Sequence, residues 1–149
     1  MAAVGDTPII VRSAVVADVP ALCGLVRELG YTGTTEEVGE RLARILSDDA
    51  QAVFVAARTG GVVGWLQVQA TNLLESEPRG EIVGLVVTAA ERGRGVGTVL
   101  VGAAEQWARG RGLALMGVRS NQVRLDARRF YERLGYAVTK TQLSFRKKL

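Results

Sequence analysis

The densest chemistry in the chain lies between positions 82 and 98. There the sequence runs Ile82-Val83-Gly84-Leu85-Val86-Val87-Thr88-Ala89-Ala90-Glu91-Arg92-Gly93-Arg94-Gly95-Val96-Gly97-Thr98. The uninterrupted apolar run over 82–87 predicts a strand buried on both faces. Glycines at 93, 95 and 97 let a backbone approach a ligand without a side-chain clash. The helix predicted to follow begins with unpaired N–H groups and a partial positive charge. Together these features form an anion site suited to phosphate. Two other phosphate loops do not fit. No Lys follows the glycines, as a P-loop requires, and the sixth position counted from Gly93 or Gly95 is Thr98 or Leu100 instead of Gly.

Other residue types narrow the chemistry further. The chain has no His, which removes His general bases, Ser–His and Cys–His pairs and His-ligated metal. Its one Cys, Cys23, can form neither an internal disulfide nor a Cys-rich metal site, and no metal site is expected. Cys23 falls beside the apolar stripe of the first predicted helix and reads as small core filler. Carboxylates and water remain as proton acceptors. Glu81 opens the apolar strand, whereas Glu75 and Glu77 precede it in a segment read as a loop over 70–80. These two could attract a cationic substrate or simply be solvated.

Charge is unevenly placed along the chain. Residues 119–149 hold nine Lys and Arg against two acids, while the first 118 residues hold three more acids than bases. Such a basic segment suits an anionic ligand, either nucleic acid or a phosphorylated cofactor. Arg also suits phosphate through its planar fork of donors.

These residues need a scaffold, and the sequence supplies one. With 149 residues, 48% of them hydrophobic and 23% charged, the chain can bury a core and is neither disordered nor fibrous. No apolar run reaches a membrane-spanning length, and the first residues lack a signal-peptide pattern, so a cytoplasmic protein is expected. A strand is predicted over 9–12. Asp18 should cap a helix carrying Val19, Leu22, Val26 and Leu29 on one stripe and ended by Gly30. Thr34 and Glu37 form a capping box for a second helix. Strands over 53–57 and 62–68 flank a turn at 59–61. The helix after the Gly-rich turn carries Val96, Val99, Leu100, Ala103, Ala104 and Trp107 and stops at Gly110. A strand over 113–118, a short helix over 126–134 and a last strand region over 136–145 complete one α+β or α/β domain over 1–149.

The segment from Leu85 to Gly97 resembles motif A of the GNAT superfamily of acetyl-coenzyme A-dependent N-acetyltransferases, written R/Q-x-x-G-x-G/A. Arg92, Gly95 and Gly97 fill it. Ala89 stands where many members carry Pro. Residues 127–136, Ala-Arg-Arg-Phe-Tyr-Glu-Arg-Leu-Gly-Tyr, resemble the superfamily's motif B, A-x-x-F-Y-x-x-x-G-F/Y. The resemblance implies a GNAT fold, a mixed and mostly antiparallel sheet with helices on both faces. It implies acetyl-coenzyme A as donor, with the pantetheine arm paired to the backbone of Leu85, Val86 and Val87. The pyrophosphate would lie on the turn formed by Arg92, Gly93, Arg94, Gly95, Val96, Gly97 and Thr98. Asn121 would stand near the pantetheine, and Arg124, Arg128 and Arg129 near the 3′-phosphate. Tyr131 matches the Tyr that protonates the departing thiolate, and a phenol is protonated at pH 7. Glu81 could deprotonate the acceptor ammonium through a water; Glu81 and water both stay open as the base.

The resulting reading is an acyltransferase that moves acetyl directly to a primary amine of a small molecule. Three alternatives remain: a protein or peptide N-acetyltransferase, a non-catalytic acetyl-coenzyme A sensor, and a nucleic-acid binder. Nucleic acid is disfavoured because no aromatic strand platform accompanies the basic segment. No membrane partner is expected, and assembly as a homodimer stays open.

Overall fold

The structure is a computed structural model that describes residues 7–120 and 125–149. Two compact units divide it, one ending at Val118 and the other running over Arg119–Leu149.

The first unit is built on five strands in the order of the chain: β1 (Ile10–Ser13), β2 (Gln51–Arg58), β3 (Gly61–Leu73), β4 (Ser76–Val87) and β5 (Met116–Val118). The first three pairings are antiparallel. The last, β4 with β5, is parallel and spans only Gly80, Ile82 and the residue between. Helices α1 (Val19–Glu28) and α2 (Thr35–Leu46) precede β2, and α3 (Val96–Gly110) connects β4 to β5. This is the mixed, mostly antiparallel sheet expected from the sequence.

Side-chain alternation sends the two faces of the sheet to different helices. Val53, Val55 and Trp65 pack with Leu22 and Cys23 of α1 and Val38 and Leu42 of α2. The opposite face of β3 holds Gly64, Leu66 and Val68. A Cβ on Gly64 would lie 3.2 Å from Val96 and 3.3 Å from Leu100, so this face packs on α3. Leu66, Val68, Ile82 and Leu100 are fully buried there.

Several expectations need correction. The 70–80 segment is not a loop: β3 and β4 continue through it as a long hairpin turning at Leu74 and Glu75. Its polar residues disguise a half-solvated ribbon. The 82–87 run is not buried throughout. Val68 pairs with Ile82 and Gln67 with Gly84, so Val83 is an extra residue in a bulge and is 44% exposed. Val99 is also turned outward, and Val101 and Ala108 take buried places on α3. Among the described residues of the second unit, only α4 (Leu125–Arg133) is regular. The strand expected over 136–145 is absent, because no strand among the described residues pairs with it, and Leu143 and Phe145 are exposed.

Asp18 has a different task from the expected cap. Its side chain makes no capping bond to α1. Instead Arg12 Nη1 and Nη2 donate to its two carboxylate oxygens at 2.7 and 2.8 Å, and the Val15 backbone N–H donates at 2.9 Å. This fork ties β1 to the entry of α1. Thr34 does cap α2, accepting from the Glu37 N–H at 3.1 Å.

The hydrogen bonds from Arg12 hold the Asp18 carboxyl below its ordinary range, against burial, which pushes it up. A depressed carboxylate contributes stability above its unfolded value of about 3.9 and loses it as pH falls through the folded value. Arg12 is 42% exposed, so solvent screens part of the pair. Asp18→Asn should therefore cost about 1–2 kcal/mol at pH 7. The gap between parent and variant should narrow as pH falls below about 4. Denaturant unfolding at pH 7 and pH 3 checks this; an equal gap at both pH values refutes it.

Candidate active site

Strand β4 gathers the candidate residues. Beyond Ile82 it has, among the described residues, a strand neighbour on one side only, since β5 pairs no further. The backbone of Leu85, Val86 and Val87 therefore borders β3 alone within the sheet. The chain then makes a short 3-10 turn over Ala89–Glu91 and enters α3 at Gly95.

Gly95 is left-handed, with φ of +86°, and Gly93 has φ of +76°. Both values favour Gly over any residue with a Cβ. As the N-cap, Gly95 offers no side chain to the first N–H groups of α3. The first intrahelical bond starts at the Val99 N–H, which donates to the Gly95 carbonyl at 3.2 Å. The N–H groups before it in α3 are left for a ligand or solvent. Gly97 is in the first turn with a negative φ. Arg92, Arg94 and Thr98 are exposed around this turn, and Arg92 Nε donates to the Val87 carbonyl at 3.4 Å. An ion pair fixes the approach: Arg58 Nε meets Glu91 at 2.9 Å, both largely buried. Arg58 also donates to the Thr7 carbonyl.

Glu81 is 3% exposed. Pairing across the sheet aligns it with Gln51 of β2, Gln69 of β3 and Gly117 of β5. The next polar residues on this face are Gln67, Thr71 and Arg79. Arg79 Nε donates to Glu81 Oε2 at 3.1 Å, and Gln67 Nε2 donates to Gln51 Oε1 at 2.8 Å. The helices α1 and α2 cover the other end of the face, around Trp65. A polar floor thus continues an apolar one. Near it in sequence, Glu75 and Glu77 are exposed at the hairpin tip.

Sequence reasoning passed over Gln51, Gln67, Gln69, Arg79 and Gly117. The signal was present: Trp65, Gln67, Gln69 and Thr71 alternate with Gly64, Leu66, Val68 and Ala70, a period of two with one polar face. Reading 70–80 as a loop hid the Arg79–Glu81 spacing.

The remaining candidates are in the second unit. Tyr131 lies on α4, edge-to-face with Phe130 and with Tyr136 at 5.0 and 5.8 Å between centroids. Arg128 Nε meets Glu132 at 2.6 Å, and Arg129 is exposed. Asn121 and Arg124 lie outside the described residues. In the first unit, a separate open depression by the 29–34 loop is lined by Arg27, Gly30, Tyr31, Thr34 and Glu37.

Residues 21–136 match the model of the acetyltransferase (GNAT) family. The chain is 31% identical over 141 residues to aminoglycoside N(6')-acetyltransferase type 1 of Stenotrophomonas maltophilia, covering 91% of each. It is 40% identical over 83 residues to aminoalkylphosphonate N-acetyltransferase of Salmonella typhimurium, covering 55% of this chain and 54% of the other. Among solved structures, aminoglycoside N-acetyltransferase AAC(6')-Iy in complex with coenzyme A superposes with a TM-score of 0.85 at 21% identity, covering 96% of this chain and 97% of that one. At that identity the likeness is one of fold.

The turn geometry has a direct stability consequence. A Cβ on Gly95 would meet nothing within 4 Å, so the cost of Gly95→Ala is that of the left-handed backbone alone, about 1–2 kcal/mol. Gly102, helical and equally unobstructed, should respond oppositely, with Gly102→Ala stabilising by about 0.5–1 kcal/mol. Two melting curves check the pair; equal effects of the same sign would show that Gly95 is not held left-handed.

Proposed function

The chain belongs to the acetyltransferase (GNAT) family, as an acyltransferase with acetyl-coenzyme A as donor, and we propose that it carries acetyl directly to the primary amine of a small molecule. The observation that supports this most strongly is the pairing of a one-sided β4 with the uncapped start of α3 at a left-handed Gly95. An extended amide-bearing arm fits the first, and a pyrophosphate fits the second. The two lie one short turn apart. The relatives named for aminoglycosides and aminoalkylphosphonates support a small amine as acceptor.

In this proposal Leu85, Val86 and Val87 hold the arm through backbone groups, and residues 92–98 hold the pyrophosphate. Arg128, with Asn121 and Arg124 outside the described residues, serves the rest of the donor. Glu81 acting through a water, or water itself, takes the proton from the acceptor ammonium. The neutral amine attacks the thioester carbonyl, the carbon–sulfur bond breaks, and Tyr131 gives its proton to the sulfur. No acyl-enzyme forms, since Cys23 is buried in the core between α1 and the sheet. The proposal also covers one domain over 1–149, a cytoplasmic setting, an assembly up to a homodimer, and no nucleic-acid partner.

A panel of amines assayed for thiol release tests the reaction and separates an enzyme from a sensor of acetyl-coenzyme A. Two variants test the residues. Gly97→Val should weaken acetyl-coenzyme A binding by about tenfold or more, about 1.4 kcal/mol, in a protein that still folds. Calorimetric titration with unchanged affinity would remove the turn from the donor site. Tyr131→Phe keeps the ring contacts and should lower turnover by about 10²-fold, with little change in donor affinity. Normal turnover in a stable variant, measured where chemistry limits the rate, would leave water as the acid.

A further inference from the structure

Acetyl transfer needs a proton acceptor near the amine, but it does not need a cation beside that acceptor. The polar floor nevertheless holds one. Arg79 Nε donates to Glu81 at 3.1 Å, and its Nη1 donates to Ser76 Oγ at 3.3 Å. Its Nη2 meets no acceptor among the described residues. The Arg79 side chain keeps 24% of its exposure, whereas that of Glu81 keeps 4%. Gly117 provides the room: a Cβ there would stand 3.4 Å from Arg79 Nε and 3.5 Å from its Cδ. The neighbouring side chains on this face, Gln51, Gln67, Gln69 and Thr71, are neutral.

We propose that Arg79 is a specificity-determining residue that selects acceptor amines carrying their own anionic group, a carboxylate or phosphonate a few bonds from the nitrogen. This rests on the acetyltransferase reading and deepens it. An ammonium drawn to Glu81 brings a short substituent within reach of the adjoining guanidinium. The fork of Arg donors matches the oxygens of a carboxylate or phosphonate. A zwitterion also matches a floor where Glu81 and Arg79 present both signs, whereas a short diamine sets its second ammonium against Arg79. The acids at the hairpin tip do not reverse this preference, because Glu75 and Glu77 are exposed and screened by salt.

The test uses the whole protein, acetyl-coenzyme A and four amines of similar length: 2-aminoethylphosphonate, β-alanine, 3-amino-1-propanol and 1,3-diaminopropane. The two anionic amines should exceed the other two in kcat/KM by roughly tenfold or more. Arg79→Met should collapse that ratio toward one, with the larger loss on the anionic amines. Arg79→Lys, which keeps the charge without the fork, should retain part of the ratio. Titrating 2-aminoethylphosphonate into protein saturated with coenzyme A reads the same contact without turnover, and Arg79→Met should abolish its heat. Absence of a preference in the parent overturns the proposal, as does a preference that survives Arg79→Met. Equal losses on all four amines in Arg79→Met would make Arg79 a support for Glu81 only, and overturn it too. If no amine releases thiol, the acetyltransferase reading fails. The titration then decides the anion site by itself: binding lost in Arg79→Met supports it, and no binding to the parent sinks it.

Discussion

Strand β4 is shared unequally between its neighbours, and the rest of the site depends on that inequality. It pairs with β3 along nearly its whole length but with β5 over only three positions, ending at Ile82 and Val118. The bulge at Val83 comes immediately after the last shared pair. An extra residue bends a strand and increases its twist, so β4 leaves β5 where the bulge begins. Backbone groups that an ordinary sheet would pair thereby have no strand partner on that side among the described residues. Glu81 lies just before the bulge and the Gly-rich turn just after the strand, so one irregularity separates the proposed proton acceptor from the proposed pyrophosphate turn.

That arrangement requires a rigid surround. Leu66, Val68 and Ile82 bury one side of the central strands against α3. On the other side the core of α1 and α2 stops at Trp65, and the polar floor begins with Gln67. The boundary is set by residue type within one alternating strand, without a change of backbone. Beyond β4, Arg58 and Glu91 lock the approach to the turn from β2. A buried pair of this kind is weak evidence for stability, yet removing one partner would strand the other charge. Its consequence here is positional: the left-handed glycines start from a fixed point.

Glu81 shows how burial and charge are reconciled. A carboxylate with 3% exposure would be costly alone, and Arg79 lies against it at 3.1 Å. The guanidinium needs space over β5, and Gly117 gives it. Two residues of β4 and a glycine of β5 distant in sequence therefore act as one unit, brought together by strand register.

Local patterns determined much of this protein. The glycines at 93, 95 and 97, the apolar stripes, the Thr34 cap and the order of strands and helices were legible because each depends on neighbours within a few residues. The resemblance to acetyltransferases also rested on contiguous motifs. Tertiary structure decided what depends on pairing between distant segments. The 70–80 ribbon is a strand pair because β3 and β4 hydrogen-bond to each other, although its composition reads as a loop. Asp18 turned from a helix cap into the partner of Arg12 because β1 runs beside it. Val83 faces outward because register with Gln67 and Val68 makes it a bulge, which no apolar run announces. The final strand region expected over 136–145 did not form, since a strand exists only where another chain segment meets its hydrogen bonds. The placing of Gly117 beside Arg79 and Glu81 likewise belongs to register, a property of the folded sheet.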